Sequence, residues 1–222
     1  MLASSHSSII LRPHQETSVA NVRDKMRQGR RRVILVAPTA FGKTECAAWI
    51  IQQSMDKGAR AWFIVDRKTL IDQTSQRFFG YGIEHGVIQA DHPLTDPSKR
   101  IQIASAQTIA RRSFDELPDL IVVDEAHCQY KAILDLIERA GQARVIGLTA
   151  TPFTAGMAHH WDEVVNGATV NQLLAEKWLT PLKIKACVSP DMKGAKRKFD
   201  GEYDEGDAGE RGITIIGDDV QT

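Results

Sequence analysis

The chain has no excess of charge of either sign, with 28 basic and 28 acidic residues. This excludes the broad cationic field with which many nucleic-acid binders hold a polyanion, so any polynucleotide contact is expected to be local. Cysteine is scarce: Cys46, Cys128 and Cys187 are far apart and lack ligand spacing. They exclude a disulfide framework or a zinc cluster and point to a reducing cytoplasm. No run approaches the roughly 20 apolar residues that span a bilayer. Met1 to Ser8 lack the basic and apolar stretches of a signal peptide, so a cytoplasmic, water-soluble protein is expected. There is no internal repeat, and 222 residues are too few for two nucleotide-binding domains and a linker. Hydrophobic residues at 42% and charged residues at 25% nevertheless allow a real core and exclude global disorder.

What is present is an alternation of two periodicities. Pro13 to Met26 has apolar residues at helical spacing, with Pro13 suited to a first turn. Val33 to Val36 is a short apolar run, followed by a loop and a helix from Lys43 to about Lys57. The pattern repeats as strand Ala61 to Val65, helix Lys68 to Phe79, strand Ile101 to Ala104 and a short helix near Gln107 to Arg111. Leu120 to Val123 is unbroken aliphatic, as in a strand covered on both faces, and helix Tyr130 to Ala140 precedes strand Arg144 to Leu148. Such alternation predicts a three-layer α/β/α fold with a mainly parallel, doubly wound sheet. The domain is expected to span residues 1–185. The charged, glycine-bearing stretch 186–222 reads as a linker or tail.

The segment Ala37-Pro38-Thr39-Ala40-Phe41-Gly42-Lys43-Thr44 matches a phosphate loop, apart from alanine at its first position. Between a strand and a helix, such a loop offers backbone N–H groups and the positive end of the helix to phosphate oxygens. Lys43 can reach the β and γ phosphates, and Thr44 can ligate magnesium. A Cβ in left-handed backbone costs about 1–2 kcal/mol, so Ala40 is expected at negative φ.

Asp124-Glu125-Ala126-His127 stands where the aliphatic run delivers two carboxylates to the carboxyl edge of the sheet, the edge at which open α/β folds bind ligands. Asp124 is assigned to the metal, and Glu125 to orienting and deprotonating the attacking water. The bland alternative is a solvated turn in which one carboxylate caps the next helix.

With these elements in place, the sequence resembles the DEAD/DEAH-box helicases of superfamily two, in the branch of restriction-enzyme motor subunits and phage or bacterial DNA helicases. The likeness covers about residues 9–185 and rests on the order of motifs. Leu11-Arg12-Pro13-His14-Gln15 resembles the adenine-reading motif, in which Gln15 would pair with the base. Thr149-Ala150-Thr151-Pro152 resembles the motif coupling nucleotide to nucleic acid, and the resemblance implies that His127 contacts either that motif or the partner domain. Ile64 to Gln73 and Ser105 to Thr108 resemble nucleic-acid contact motifs, with Arg67, Lys68, Ser105, Gln107 and Thr108 as candidate phosphate ligands.

The resemblance implies ATP and Mg²⁺ as cofactors, and DNA rather than RNA as track. It also implies a second RecA-like domain, not found after Thr151, that supplies arginines to the transition state. A monomer with weak hydrolysis of its own is therefore expected. The competing readings are an ATP-switched assembly module without motor activity, an RNA helicase, and a plain nucleic-acid binder using Arg30 to Arg32 and the Lys193 to Lys198 cluster.

Overall fold

Short apolar runs become strands here because helices cover both faces of the sheet they build. The computed structural model describes residues 9–152 and 154–181, excluding the side chain of Lys68. The expected linker, Cys187 and the Lys193 to Lys198 cluster lie outside the described residues.

The elements follow the order α1 (Pro13–Arg27), β1 (Arg32–Val36), α2 (Lys43–Met55), β2 (Ala61–Val65), α3 (Lys68–Gly80), β3 (Gly86–Ile88), β4 (Ile101–Ser105), α4 (Ala106–Ile109), β5 (Leu120–Val123), α5 (Lys131–Arg139), β6 (Arg144–Thr149), β7 (Glu163–Asn166) and α6 (Val170–Ala175). The seven strands form one sheet in the order β3-β4-β2-β5-β6-β1-β7. Every pairing is parallel, so the fold is α/β as expected.

The period-2 alternation of strand side chains sorts β2 cleanly between two cores. Ala61, Phe63 and Val65 face a cluster with residues of α1, α2 and α3, including Val22, Ile51 and Phe78. Trp62 and Ile64 face a second cluster with α4 and α5. Helix α5 presents Ile133, Leu136 and Ile137 to that core, the three- and four-residue spacing of a single helical face.

Because all strands run the same way, the segments leaving β1, β2, β4, β5 and β6 emerge at one edge of the sheet. Two strands escape the sequence pattern. β3 is three residues long and begins with glycine, and β7 opens on Glu163 at the sheet margin. Helix α6 also escapes it, although Thr169 caps it by accepting a hydrogen bond from Gln172 N–H. Among the described residues, no helix is long and apolar enough to cross a membrane.

Candidate functional site

The loop after β1 is held from both ends. Ala37 N–H donates to the Thr149 carbonyl at 2.9 Å, fastening the loop to the end of β6. Phe41 is fully buried and meets the edge of the His14 ring at 4.9 Å between centroids. Between these anchors Phe41 N–H donates to the Pro38 carbonyl at 3.2 Å, closing a four-residue turn.

The chain reversal falls on Ala40, which has φ of 65°, so the expectation of a negative φ is corrected.

 The third position of such a turn calls for positive φ, ordinarily supplied by glycine or asparagine. With Phe41 locked in the core, the turn overrides the local preference of alanine. Ala40→Gly should therefore raise stability by about 0.5–1 kcal/mol, since relief of about 1–2 kcal/mol of strain exceeds the entropy glycine adds to the unfolded chain. Urea denaturation checks this, and a lower midpoint would mean that the turn is not strained at Ala40.

Gly42 follows with φ of 92° and forms the N-cap of α2. A Cβ there would collide with Gln15 Nε2, so glycine is required twice over. Lys43 directs its ammonium back at the loop, donating to the Ala37 carbonyl at 3.1 Å and the Pro38 carbonyl at 3.5 Å.

The acidic pair leaves β5 two strands away from β1. Asp124 N–H is still bonded to the Ile64 carbonyl of β2 at 2.9 Å, and the Asp124 carboxylate accepts Glu125 N–H at 3.1 Å. Burial, and then the Glu125 charge, push the Asp124 carboxyl above the usual aspartate range, while Lys43 and His127 oppose the shift. The direction means that Asp124 binds a proton more readily than a free aspartate and that a nearby cation favours its charged form.

Glu125 has φ of 48°, a left-handed conformation uncommon outside glycine and frequent at functional turns. Its Oε2 lies 3.2 Å from His127 Nδ1. The same nitrogen is 3.0 Å from Thr149 Oγ1, which also accepts Thr151 N–H at 3.0 Å. In β6, Gly147 makes room for this arrangement, because Ala126 and Trp161 occupy the space a Cβ would need.

A single cavity of about 640 Å³ brings these groups together, lined by Pro38, Thr39, Ala40, Gly42, Lys43 and Thr44 on one side and by Asp124 and Glu125 on the other. Its volume lies within the roughly 300–1,000 Å³ of small-molecule sites. Arg12 and Gln15 close one end. Phe41 is not among the lining residues: its ring is packed into the core and its carbonyl accepts from Gln15.

Gln15 is buried, and its carboxamide is partly committed: Oε1 accepts Arg12 N–H at 2.8 Å and Nε2 donates to the Phe41 carbonyl at 2.9 Å. One N–H and one lone pair remain for a base. The Arg12 guanidinium stacks 4.9 Å from the Trp178 ring centroid. Sequence reasoning missed Ile10, Glu45, Arg77 and Tyr81 in the same lining. Arg77 and Tyr81 stand at the end of α3, where Arg77 pairs with Glu45 at 3.1 Å. No motif marks them, and only the packing of α3 brings them in.

The donor set suits magnesium. Thr44 and Asp124 present hard oxygens to one cavity, and Mg²⁺ commonly takes one or two protein ligands with the rest from phosphate and water.

The candidate strand contacts divide. Arg67 and Gln107 are exposed at the ends of neighbouring strands β2 and β4, while the Lys68 side chain lies outside the described residues. Ser105 and Thr108 are buried. Ser105 caps α4 by accepting Thr108 N–H at 3.1 Å and donates its hydroxyl to Thr108 Oγ1 at 2.9 Å. In this structure the Ser105 hydroxyl caps the helix and the two hydroxyls serve each other inside the fold.

Comparison with known proteins agrees with this architecture. Residues 8–154 match the family "Type III restriction enzyme, res subunit". The chain is 28% identical over 194 residues to a 51.5 kDa protein of a Lactococcus phage, an alignment covering 85% of this chain and 40% of that protein. It is also 28% identical over 207 residues to the type I restriction enzyme EcoAI endonuclease subunit of Escherichia coli, covering 82% and 25% respectively. The chain thus spans well under half the length of these relatives. Among solved structures, the UvsW helicase of bacteriophage T4 superposes with a TM-score of 0.61 at 18% identity, over 70% of this chain and 59% of that one, a likeness of fold. The chain belongs to the family of the type III restriction enzyme res subunit, and its fold is the N-terminal RecA-like domain of a superfamily-two helicase.

Proposed function

We propose that this domain binds ATP with Mg²⁺ and forms the nucleotide-hydrolysing half of a DNA helicase or translocase. The observation that carries the reading is the cavity shared by Lys43, Thr44, Asp124 and Glu125. A triphosphate there has its phosphates at the N-terminus of α2, where free backbone N–H groups and the helix dipole favour negative charge. Lys43 exchanges its loop carbonyls for the β and γ phosphates. Thr44 and Asp124 would hold Mg²⁺, which would supply neutralisation of charge developing on the phosphate oxygens. Glu125 orients the attacking water and accepts its proton. Arg12 and Gln15 address the base end.

Hydrolysis is transmitted through His127 to Thr149 and Thr151, which share a hydrogen-bond network with Glu125. Arg67, Lys68 and Gln107 contact the backbone of the track. DNA is favoured by the likeness to restriction subunits. Full activity requires a second RecA-like domain, toward which residues 186–222 would lead.

Titration with a fluorescent ATP analogue in magnesium tests the reading. Lys43→Ala should weaken binding by about 10- to 100-fold, the cost of removing a charge-assisted phosphate contact of about 1.5–3 kcal/mol. Equal affinities for the two proteins would leave the chain without a working nucleotide site.

A further inference from the structure

Residues 125–130 form a short hub with three contacts to two other segments at the same sheet edge, those at the ends of β6 and β2. Glu125 and Gln129, with φ of 48° and 45°, hold left-handed backbone on either side of the 3-10 turn Ala126–Cys128. Two such residues so close together leave the segment few alternative conformations. His127 reaches Thr149, and Gln129 Nε2 donates to the Ala155 carbonyl at 2.9 Å, beyond the Thr-Ala-Thr-Pro segment.

The third arm points toward the strand side. The Tyr130 hydroxyl donates to Asp66 Oδ1 at 2.5 Å, across the boundary between neighbouring strands β5 and β2. Asp66 is largely buried, and its other oxygen lies 3.9 Å from Nε of the exposed Arg67. A hydroxyl donating to a carboxylate makes one of the stronger hydrogen bonds available to side chains. Cys128 lies between the arms, its thiol 3.6 Å from His127 Nε2 and in contact with the Tyr130 hydroxyl.

We infer that Tyr130 and Asp66 are positioning residues through which a nucleic-acid backbone held at Arg67 acts on Glu125 and His127. The inference rests on the function proposed above. A phosphate that draws the Arg67 guanidinium away takes from Asp66 a cation 3.9 Å distant and strengthens its reliance on Tyr130. The change reaches Tyr130, and the constrained backbone of the hub transmits it to the carboxylate at the cavity. Neither residue lines the nucleotide cavity, so their effect is on coupling between the sites.

The test measures affinity for a fluorescent ATP analogue with and without a single-stranded DNA oligonucleotide, in the unmodified chain, Tyr130→Phe, Asp66→Asn and the double variant. In the unmodified chain the oligonucleotide should change nucleotide affinity by at least about fivefold. Each single variant should reduce that factor to less than about twofold, and the double variant should reduce it no further. Nucleotide affinity without DNA should stay unchanged in both single variants, and DNA affinity without nucleotide should stay unchanged in Tyr130→Phe, which leaves the Asp66 charge beside Arg67 in place. Variants that keep the full coupling factor overturn the inference while leaving the proposed function standing, even if their melting temperature falls. An unmodified chain whose nucleotide affinity ignores DNA overturns the inference as well. Equal nucleotide affinities for Lys43→Ala and the unmodified chain identify the failure as that of the nucleotide site.

Discussion

Glu125→Gln is expected to lower single-turnover ATP hydrolysis by about 10²- to 10⁴-fold, the usual contribution of a positioned general base. Nucleotide affinity should remain within about threefold, because the lost interaction belongs to the transition state. The substitution preserves size and a hydrogen-bonding oxygen, but glutamine cannot accept the water's proton. Its neighbour His127 keeps Thr149 as a partner, so the turn itself should survive. Rapid-quench measurement of phosphate release, paired with the analogue titration, separates the two quantities. Unchanged hydrolysis would remove Glu125 from the chemistry and leave it a structural residue of the turn.

Supplying a second RecA-like domain, on the same polypeptide or from a partner, is expected to raise hydrolysis by about 10³- to 10⁵-fold over this chain alone, the range of an arginine finger. Besides Lys43, the basic residues lining the cavity are Arg12 and Arg77. Arg77 is already paired with Glu45. Among the described lining residues there is no further arginine to meet charge developing on the γ phosphate. Steady-state phosphate release with and without that domain, in the presence of DNA, measures the difference. Rapid DNA-stimulated hydrolysis by these 222 residues alone would contradict this division of labour.

Much of the fold was legible because its strands are buried on both faces. Leu120–Val123 and Ala61–Val65 form the strands their unbroken apolar runs predict, and Pro13 opens α1 as its fixed φ suggests. β3 and β7 were not legible, since a short marginal strand needs little apolar sequence of its own. Within the candidate site, the motifs located Lys43, Thr44, Asp124 and Glu125 because strand ends concentrate chemistry at one edge. Ala40 was misread because a turn fixed by the distant contacts of Phe41 outweighs a one-residue preference. Arg77, Tyr81 and the Tyr130–Asp66 bond depend on how helices and loops meet in space, which no local spacing encodes.

The strand order also governs when the phosphate loop can exist during synthesis. β1 is made early, yet among the described residues its sheet partners are β6 and β7, from Arg144 to Thr149 and from Glu163 to Asn166. Such distant pairing is slow to form and leaves the apolar β1 without a strand partner until β6 has emerged, and with one edge open until β7 follows. The nascent segment from Arg32 to Val36 is therefore the natural place for a chaperone to hold, and the nucleotide cavity is assembled among the last parts of the domain.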